Sequence, residues 1–165
     1  VLAPLRLHDD LVAVSIPTFN TPAAAFERAV RSILTGTHEH VRVVAIGDGQ
    51  PLPQLPADLA EDPRLLCMES PKNLGPYFLH DVVLRGVNAP FFAVQDSDDE
   101  SHQARFAKQL SALHTHRAEA VHSPIFQVKR GGTRRRLAGS ATTGPVWAHH
   151  ANHFGLYSTP ALMAL

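Results

Sequence analysis

Three short and nearly continuous apolar runs constrain the fold of this chain more than any other feature. They are residues 11–16 (LVAVSI), 41–46 (VRVVAI) and 91–94 (FFAV). A strand with one face in water alternates apolar and polar residues, whereas a continuous run is typical of a parallel strand buried on both faces. Helix-like periodicity at residues 23–34 and 77–87 lies between the runs. The sequence therefore predicts an α/β fold with a mostly parallel central sheet.

The remaining elements follow from periodicity and turn residues. Thr21 and Pro22 predict the cap and first turn of the helix at 23–34, and Asn73 and Gly75 suit a turn that needs positive φ. The other predicted elements are a strand at 64–69, a helix at 101–116, strands at 120–128 and 154–158, a hairpin turn at 130–133 and a terminal helix from Pro160. We predict a three-layer α/β/α sandwich whose sheet is parallel at first and mixed later.

Helical spacing also predicts which side chains are buried. In the helix at 77–87, the residues predicted to face the core are Phe78, Val82 and Leu84, with Leu79 and Val83 as further candidates. In the helix at 101–116, Phe106, Leu110 and Leu113 are predicted to face the core, and Arg105, Lys108 and Gln109 to face solvent. The single cysteine, Cys67, lies in an apolar context and is predicted to be buried.

The composition excludes several classes of function. Lys plus Arg and Asp plus Glu are 15 each, so no overall charge attracts nucleic acid or an anionic membrane. No apolar run approaches the roughly 18 residues of a transmembrane segment, and no leader-like segment opens the chain. We expect one cytoplasmic domain over residues 1–165. Truncation at the C-terminus stays open, because the chain starts without Met and ends inside a helix-like segment at 159–165.

An acidic cluster directly follows the third apolar run. Asp96, Asp98 and Asp99 lie within four residues, where a parallel strand meets its loop. Open α/β sheets bind their ligands at this position. Three neighbouring carboxylates repel one another unless solvent, helix amide groups or a cation offsets the repulsion. The cluster is therefore either a site for a divalent metal that bridges a diphosphate, or a solvated loop that caps a helix beginning near Ser101.

Several short motifs occur in an order and spacing that resemble the family 2 glycosyltransferases. They are VSIPTFN at 14–20, SIL at 32–34, VVAIGDG at 43–49, NLG at 73–75, QDSDD at 95–99 and RF at 105–106. The resemblance covers residues 12–165. It implies the GT-A fold and inverting transfer of a sugar from a nucleotide diphosphate donor, with Mg²⁺ or Mn²⁺ as cofactor. It leaves the acceptor open among glycans, lipids and small molecules.

The resemblance also assigns roles to individual residues. The implied nucleotide-binding residues are Pro17, Thr18, Phe19, Asp48, Asn73, Gly75, Asp96 and Ser97. The implied metal ligands are Asp98, Asp99 and a late histidine, for which His153 is chosen over His149 and His150. In this interpretation Asp48 accepts the ring N–H of uracil or thymine, which favours a UDP- or dTDP-sugar, and its neighbouring glycines let the planar base approach the backbone.

Each of these assignments has a plainer alternative. Asp48 between two glycines can be a simple turn residue, and Asn73 can shape its turn without touching a ligand. Lys72 and the arginines at 134–136 are typical of solvated surface, with diphosphate or acceptor binding as the functional alternative for the arginines. The late histidines can be ordinary loop residues.

The chain departs from the family at three places. Gly47 precedes Asp48 where the family usually has a second aspartate, and Leu79, His80 and Asp81 replace a common Ala-Arg-Asn. The family's catalytic base lies beyond the end of this chain, and no Asp or Glu follows Glu119. We therefore expect donor binding with slow or no transfer by these 165 residues. A non-catalytic nucleotide-sugar or carbohydrate-binding domain is the main alternative, and a nucleotidyltransferase or phosphohydrolase is a third, without the expected phosphate loop.

Overall fold

A computed structural model describes residues 9–128, 134–138 and 155–163 of the chain. The strands are β1 (Val12–Thr18), β2 (Val41–Gly47), β3 (Leu65–Glu69), β4 (Phe91–Val94), β5 (Ala120–His122), β6 (Ile125–Val128), β7 (Arg134–Ala138) and β8 (Gly155–Ser158). The helices are α1 (Ala23–Leu34), α2 (Ala57–Ala60), α3 (Pro76–Gly86), α4 (Arg105–His116) and α5 (Thr159–Met163). No helix among these residues is long and apolar enough to cross a membrane.

Six of the strands form one mixed sheet in the order β3-β2-β1-β4-β8-β5. The pairs β1–β2, β1–β4 and β2–β3 are parallel, and β8 runs antiparallel to both β4 and β5. The continuous apolar runs form the three central strands β2, β1 and β4, as expected of strands covered on both faces. The predicted change from a parallel first half to a mixed second half is confirmed.

Two separate hydrophobic clusters lie on the two faces of this sheet. On one face, alternate residues of β1, β2 and β4 pack with Phe26, Val30 and Ile33 of α1 and with Phe106 and Leu110 of α4. On the other face, the intervening strand residues pack with Leu79 and Val83 of α3. The period of two along each strand thus supplies both cores. The predicted α/β/α sandwich is confirmed.

The strand β3 lies at an edge of the sheet and is not buried as predicted. Its residues Leu66, Cys67 and Met68 are exposed. The prediction of a buried Cys67 is wrong, because it took the apolar neighbours as evidence of a core strand without knowing the strand order. An edge strand has a neighbour on one side only, so apolar residues there can stay in contact with water.

The faces of two helices differ from the prediction. In α3 the buried residues are Leu79 and Val83, whereas Phe78 and Val82 are exposed. In α4 the predicted apolar face is confirmed, but Arg105 and Gln109 are buried as well. Helical spacing predicts the buried face of a helix only to within about one residue. A buried polar residue cannot be distinguished from a solvated one in the sequence alone. The prediction that Arg105 and Gln109 face solvent is therefore wrong.

One predicted helix start and one predicted helix cap need correction. The helix expected from Ser101 begins at Arg105, with Ala104 as its cap residue and no side-chain cap. Likewise, α1 has Pro22 at the cap position, and no side chain caps it. The hydroxyl of Thr21 lies 2.6 Å from that of Ser97. Thr21 therefore links two loops instead of capping the helix.

The single strand predicted at 120–128 is two strands in different sheets. β5 pairs with β8 in the main sheet, and β6 pairs with β7 in a separate antiparallel two-stranded sheet. Ser123 and Pro124 separate them. Since proline cannot donate a ladder hydrogen bond, a break at this position follows from the sequence. The predicted hairpin turn at 130–133 lies outside the described residues.

Candidate functional site

The carboxyl ends of β1, β2 and β4 lie side by side and form one edge of the sheet. This carboxyl edge consists of strand ends and is distinct from the edge strand β3. Thr18 at the end of β1 pairs with Gly47 at the end of β2, and the Asp48 amide donates to the Thr18 carbonyl at 2.9 Å. β4 lies on the other side of β1 and leads into Gln95 and the acidic turn Asp96–Asp99. The predicted nucleotide and metal residues from three separated motifs therefore meet at one edge, where open α/β sheets bind ligands.

The carboxylate of Asp48 anchors the loop that follows β3. Its two oxygens accept the backbone amides of Leu74 at 2.6 Å and Gly75 at 3.0 Å, and the residue is only 3% exposed. Gly75 has φ of 82°, so the predicted positive φ is confirmed at Gly75, whereas the same prediction for Asn73 is wrong because Asn73 has no positive φ. Asp48 is more than an isolated turn residue, since it joins the ends of β2 and the loop at 73–75.

The two glycines beside Asp48 serve the packing of the protein's own backbone. A Cβ on Gly49 would collide with the backbone nitrogen of Asn73, and one on Gly47 would collide with the carbonyl oxygen of Gln50. Gly49 also has φ of 72°. These contacts explain why glycine is needed at both positions, and the prediction that a planar base approaches the backbone here stays a prediction.

The turn after β1 presents an exposed aromatic side chain beside the Asp48 loop. Thr18 is fully buried and Pro17 is half-buried, whereas Phe19 is 54% exposed. Asn20 follows with φ of 53°, a left-handed conformation in which asparagine is well tolerated. Phe19 is therefore the member of this turn that offers an open ring face for stacking.

The acidic residues form a turn closed by a backbone hydrogen bond from Asp99 to the carbonyl of Asp96, at 3.3 Å. Asp98 is exposed, Asp96 and Asp99 are half-buried, and Ser97 is buried against Thr21. The Ser101 amide donates to the Ser32 hydroxyl of α1 at 2.9 Å, which fastens the end of the turn. The structure thus holds the aspartates in a defined turn and not at a helix cap.

A buried polar network lies behind the acidic turn. The Gln95 side-chain nitrogen donates to the carbonyls of Asp99 at 2.7 Å and Asp96 at 3.3 Å. The Gln95 oxygen accepts the Ser101 hydroxyl at 2.7 Å and Arg105 Nη1 at 2.8 Å. Gln95 is 0% exposed and Arg105 is 5% exposed. We call Gln95, Ser101, Arg105 and Gln109 the Gln95–Arg105 network.

The guanidinium of Arg105 has several further partners. Nη1 donates to the Ser101 hydroxyl, Nε to Gln109 Oε1, and Nη2 to the carbonyls of Val94 and Gly155. Burial lowers the pKa of Arg105 to about 9, and the phenolic group of Tyr157 acts in the opposite direction. Arg105 therefore remains a cation at neutral pH, with its hydrogen bonds compensating much of the cost of burial.

The candidate metal ligands are only partly within the described residues. Asp98 and Asp99 lie on the acidic turn, whereas His149, His150 and His153 lie outside the described residues. In the part of the chain that the structure describes, no three His, Cys, Asp or Glu side chains are grouped to hold a metal. Hard carboxylate oxygens nevertheless suit Mg²⁺ or Mn²⁺, and Mg²⁺ is commonly held by one or two carboxylates together with substrate phosphates. Asp98 and Asp99 are the described residues that could hold such a cation.

Other residues considered from the sequence have local roles or lie away from this edge. Lys72 and Asn73 are exposed on the loop after β3. At the replaced family motif, Leu79 is in the core, His80 Nδ1 lies 2.9 Å from the Ser15 hydroxyl, and Asp81 pairs with Arg85. A cavity of about 550 Å³ lies at the opposite edge of the sheet, lined by Leu34, Thr35, Gly36, Glu39, His40 and Arg64.

Sequence reasoning missed Gln95, Ser101 and Thr21 and misjudged Arg105. A signal was present, because Ser101, Arg105 and Gln109 recur every four residues beside the apolar stripe of α4. Polar residues at that spacing share one helix face and can hydrogen-bond in series. A glutamine directly after a buried strand is a second such signal. Neither signal distinguishes a buried polar network from a solvated helix face unless the positions of the strands are known.

Comparison with known proteins assigns the family. The model of a family described as glycosyl transferase family 2 matches residues 13–162, which is most of the chain. The chain therefore belongs to glycosyl transferase family 2. A curated relative, an uncharacterised glycosyltransferase of Rickettsia conorii, is 26% identical over 133 residues, which is 79% of this chain and 22% of that protein.

Solved structures with the same fold include those of S. aureus TarS. TarS 1-349 in complex with UDP is 17% identical with a TM-score of 0.70, over 93% of this chain and 48% of that one. Its complex with UDP-GlcNAc is 17% identical with a TM-score of 0.66, over 93% and 47%. At these identities the likeness shows only that this chain has the fold of TarS, which is the predicted GT-A type. The chain spans about half the length of TarS 1-349 and about a fifth of the Rickettsia protein.

Proposed function

We propose that this domain binds a uridine or thymidine diphosphate sugar at the carboxyl edge of its sheet and forms the donor site of an inverting sugar transfer to an acceptor, with slow or no transfer by these 165 residues alone. The observation that carries the proposal is the convergence of Thr18, Asp48 and the acidic turn at the ends of three adjacent strands. Family membership and the complexes of TarS with UDP and UDP-GlcNAc support the class of donor.

The base is proposed to bind beside the turn after β1. Phe19 offers an exposed ring for stacking, and the neighbouring Pro17 and Thr18 are assigned to the same side of the base. Asp48, Asn73 and Gly75 are assigned to its other side. A carboxylate has about four lone-pair sites, so Asp48 can accept a ring N–H in addition to its two backbone amides. Its hydrogen bonds to the loop make Asp48 an organiser of the base site as well as a contact.

The ribose and diphosphate are proposed to bind across the acidic turn. Asp96 and Ser97 are nearest β4 and are assigned to the ribose, while Asp98 and Asp99 are assigned to Mg²⁺ or Mn²⁺. His153, which lies outside the described residues, is the proposed third protein ligand, as the resemblance to the family implies. A metal bound here would neutralise the charge that develops on the leaving diphosphate.

No residue is assigned to the acceptor side of the reaction. Inversion is one displacement at the anomeric carbon, and it needs a general base within hydrogen-bond reach of the acceptor hydroxyl. None of the described residues is assigned to that role. The acceptor is proposed only as a hydroxyl compound that reaches the edge of the sheet beside the acidic turn.

A thermal-shift panel tests the proposal. The protein is heated with UDP, dTDP, GDP, CDP and ADP, each with Mn²⁺ or with EDTA, and stabilisation by UDP or dTDP with Mn²⁺ is expected because ligands that bind the native state raise its melting temperature. No shift with any nucleotide would overturn the donor site. Release of UDP from a UDP-sugar and acceptor over many turnovers would contradict the expectation that these 165 residues transfer sugar slowly or not at all.

A further inference from the structure

The buried cation Arg105 lies where two strands of the sheet separate. The β4–β8 ladder pairs Phe91 with Ser158 and Ala93 with Leu156, and the next opposing residues in the antiparallel register are Val94 and Gly155. The carbonyls of those two residues both accept Arg105 Nη2, at 3.0 and 3.2 Å. Arg105 Nη2 therefore bridges β4 and β8 at the position where their backbone pairing ends.

The same guanidinium reaches the acidic turn through Gln95. Arg105 Nη1 and the Ser101 hydroxyl both donate to Gln95 Oε1, which fixes the orientation of the side-chain amide. Its nitrogen must then point toward the turn, where it donates to the carbonyls of Asp96 and Asp99. These two carbonyls flank the turn, so their spacing sets how Asp96, Asp98 and Asp99 are presented.

We propose that Arg105, acting through Gln95, is the positioning residue that holds the acidic turn in the geometry needed for the metal-bound diphosphate. This inference rests on the proposed function. Arg105 touches neither metal nor donor in the proposal. Its hydrogen bond to Gln95 orients that side chain, and Gln95 in turn holds the carbonyls of Asp96 and Asp99. The turn is thereby pre-organised before any ligand arrives, which lowers the cost of binding.

Two substitutions remove the positioning contacts in different ways. Arg105→Lys keeps a positive charge but cannot reproduce a planar fork that serves two strand carbonyls and Gln95 together. Gln95→Met keeps the volume and loses both hydrogen bonds to the turn. Arg64→Lys is the matched control, since Arg64 also donates to a backbone carbonyl, that of Leu34, and to Asp62 at the opposite edge of the sheet.

The measurement is the ratio of UDP dissociation constants in EDTA and in Mn²⁺, determined by calorimetry on the 165-residue chain. We expect this Mn²⁺ enhancement to fall about tenfold or more in Arg105→Lys and Gln95→Met, which is the range found when partners of metal ligands are removed. It should stay within about twofold of wild type in Arg64→Lys. A merely structural role would weaken UDP binding equally with and without Mn²⁺, which would overturn the inference.

A milder substitution at Ser101 tests the positioning role if the Arg105 and Gln95 variants do not fold. Ser101→Ala removes one contact to Gln95 and one to Arg105, and we expect it to reduce the Mn²⁺ enhancement severalfold. An unchanged enhancement in a folded Ser101→Ala or Gln95→Met protein overturns the positioning role while leaving the proposed function intact. Absence of any UDP binding by the wild type overturns the proposed function and this inference with it.

Discussion

The carboxylate of Asp48 accepts the amide of Leu74 at 2.6 Å, although the two residues are 26 positions apart in the sequence. The second carboxylate oxygen accepts the next amide, that of Gly75. The end of β2 and the loop after β3 are therefore one unit. A change at Asp48 acts on the fold and on the proposed base site together.

Asp48→Asn is expected to cost about 1–3 kcal/mol of unfolding free energy, because an amide nitrogen would face one of the two N–H donors and leave buried groups unpaired. UDP binding should weaken as well. Denaturant unfolding and calorimetry measure the two effects. Asp81→Asn is the control, since Asp81 pairs with Arg85 at the surface and should change stability by under about 0.5 kcal/mol. Equal small effects at both positions would contradict the structural role of Asp48.

Asp99→Ala is expected to abolish Mn²⁺-dependent UDP binding while leaving the fold intact. The backbone hydrogen bonds of Asp99 to Asp96 and Gln95 persist in alanine, and one source of repulsion in the turn is removed. Glu100→Ala, which removes a neighbouring carboxylate paired with Arg28, should keep UDP binding. A large loss of stability in the Asp99 variant would instead make Asp99 a structural residue.

Leu156→Ala is expected to cost about 2–5 kcal/mol, because Leu156 of β8 is fully buried in the cluster that includes α1 and α4. Leu66→Ala is the matched control on the exposed edge strand β3, and it should cost far less. Chemical denaturation compares the two. Similar losses for both leucines would contradict the placement of β8 between β4 and β5.

The ion pair of Asp62 with Arg64 predicts a loss of stability in acid. Hydrogen bonds from Arg64 hold the pKa of Asp62 below its usual value, despite partial burial that acts in the opposite direction. A carboxyl with a lowered folded-state pKa adds stability above its unfolded pKa of about 3.9, and that stability is lost as pH falls through the folded value. Melting temperatures of the wild type and Asp62→Asn should therefore differ at pH 7, and the difference should shrink as pH falls below the unfolded pKa of about 3.9. A constant difference across this range would contradict the pKa assignment.

Most of the first half of this fold could be predicted from sequence because its signals are local. Continuous apolar runs mark β1, β2 and β4, and helical spacing marks α1 and α4. The order of the strands is a tertiary property, so the exposure of Cys67 on the edge strand was not predicted. The same holds for Arg105, whose burial depends on β4 and β8 meeting above it.

Some features of the candidate site could likewise be predicted from the sequence, and others could not. Strand-end positions of Thr18, Asp48 and the acidic turn follow from the sequence, because parallel strands bring their carboxyl ends to one edge. The roles of Gly47 and Gly49 in loop packing, and the link between Thr21 and Ser97, depend on contacts between distant segments. Such contacts leave no periodic trace in one sequence.

The central claim is that the acidic turn and the Asp48 loop together bind a metal-linked nucleoside diphosphate. Isothermal calorimetry of the 165-residue chain with UDP, first with Mn²⁺ and then with EDTA, tests it most directly. We predict one site with a dissociation constant below about 1 mM in Mn²⁺, as expected for a site tuned to cellular substrate levels, and binding at least about tenfold weaker in EDTA. Absence of binding heat in Mn²⁺, or equal affinity in Mn²⁺ and EDTA, would contradict the account.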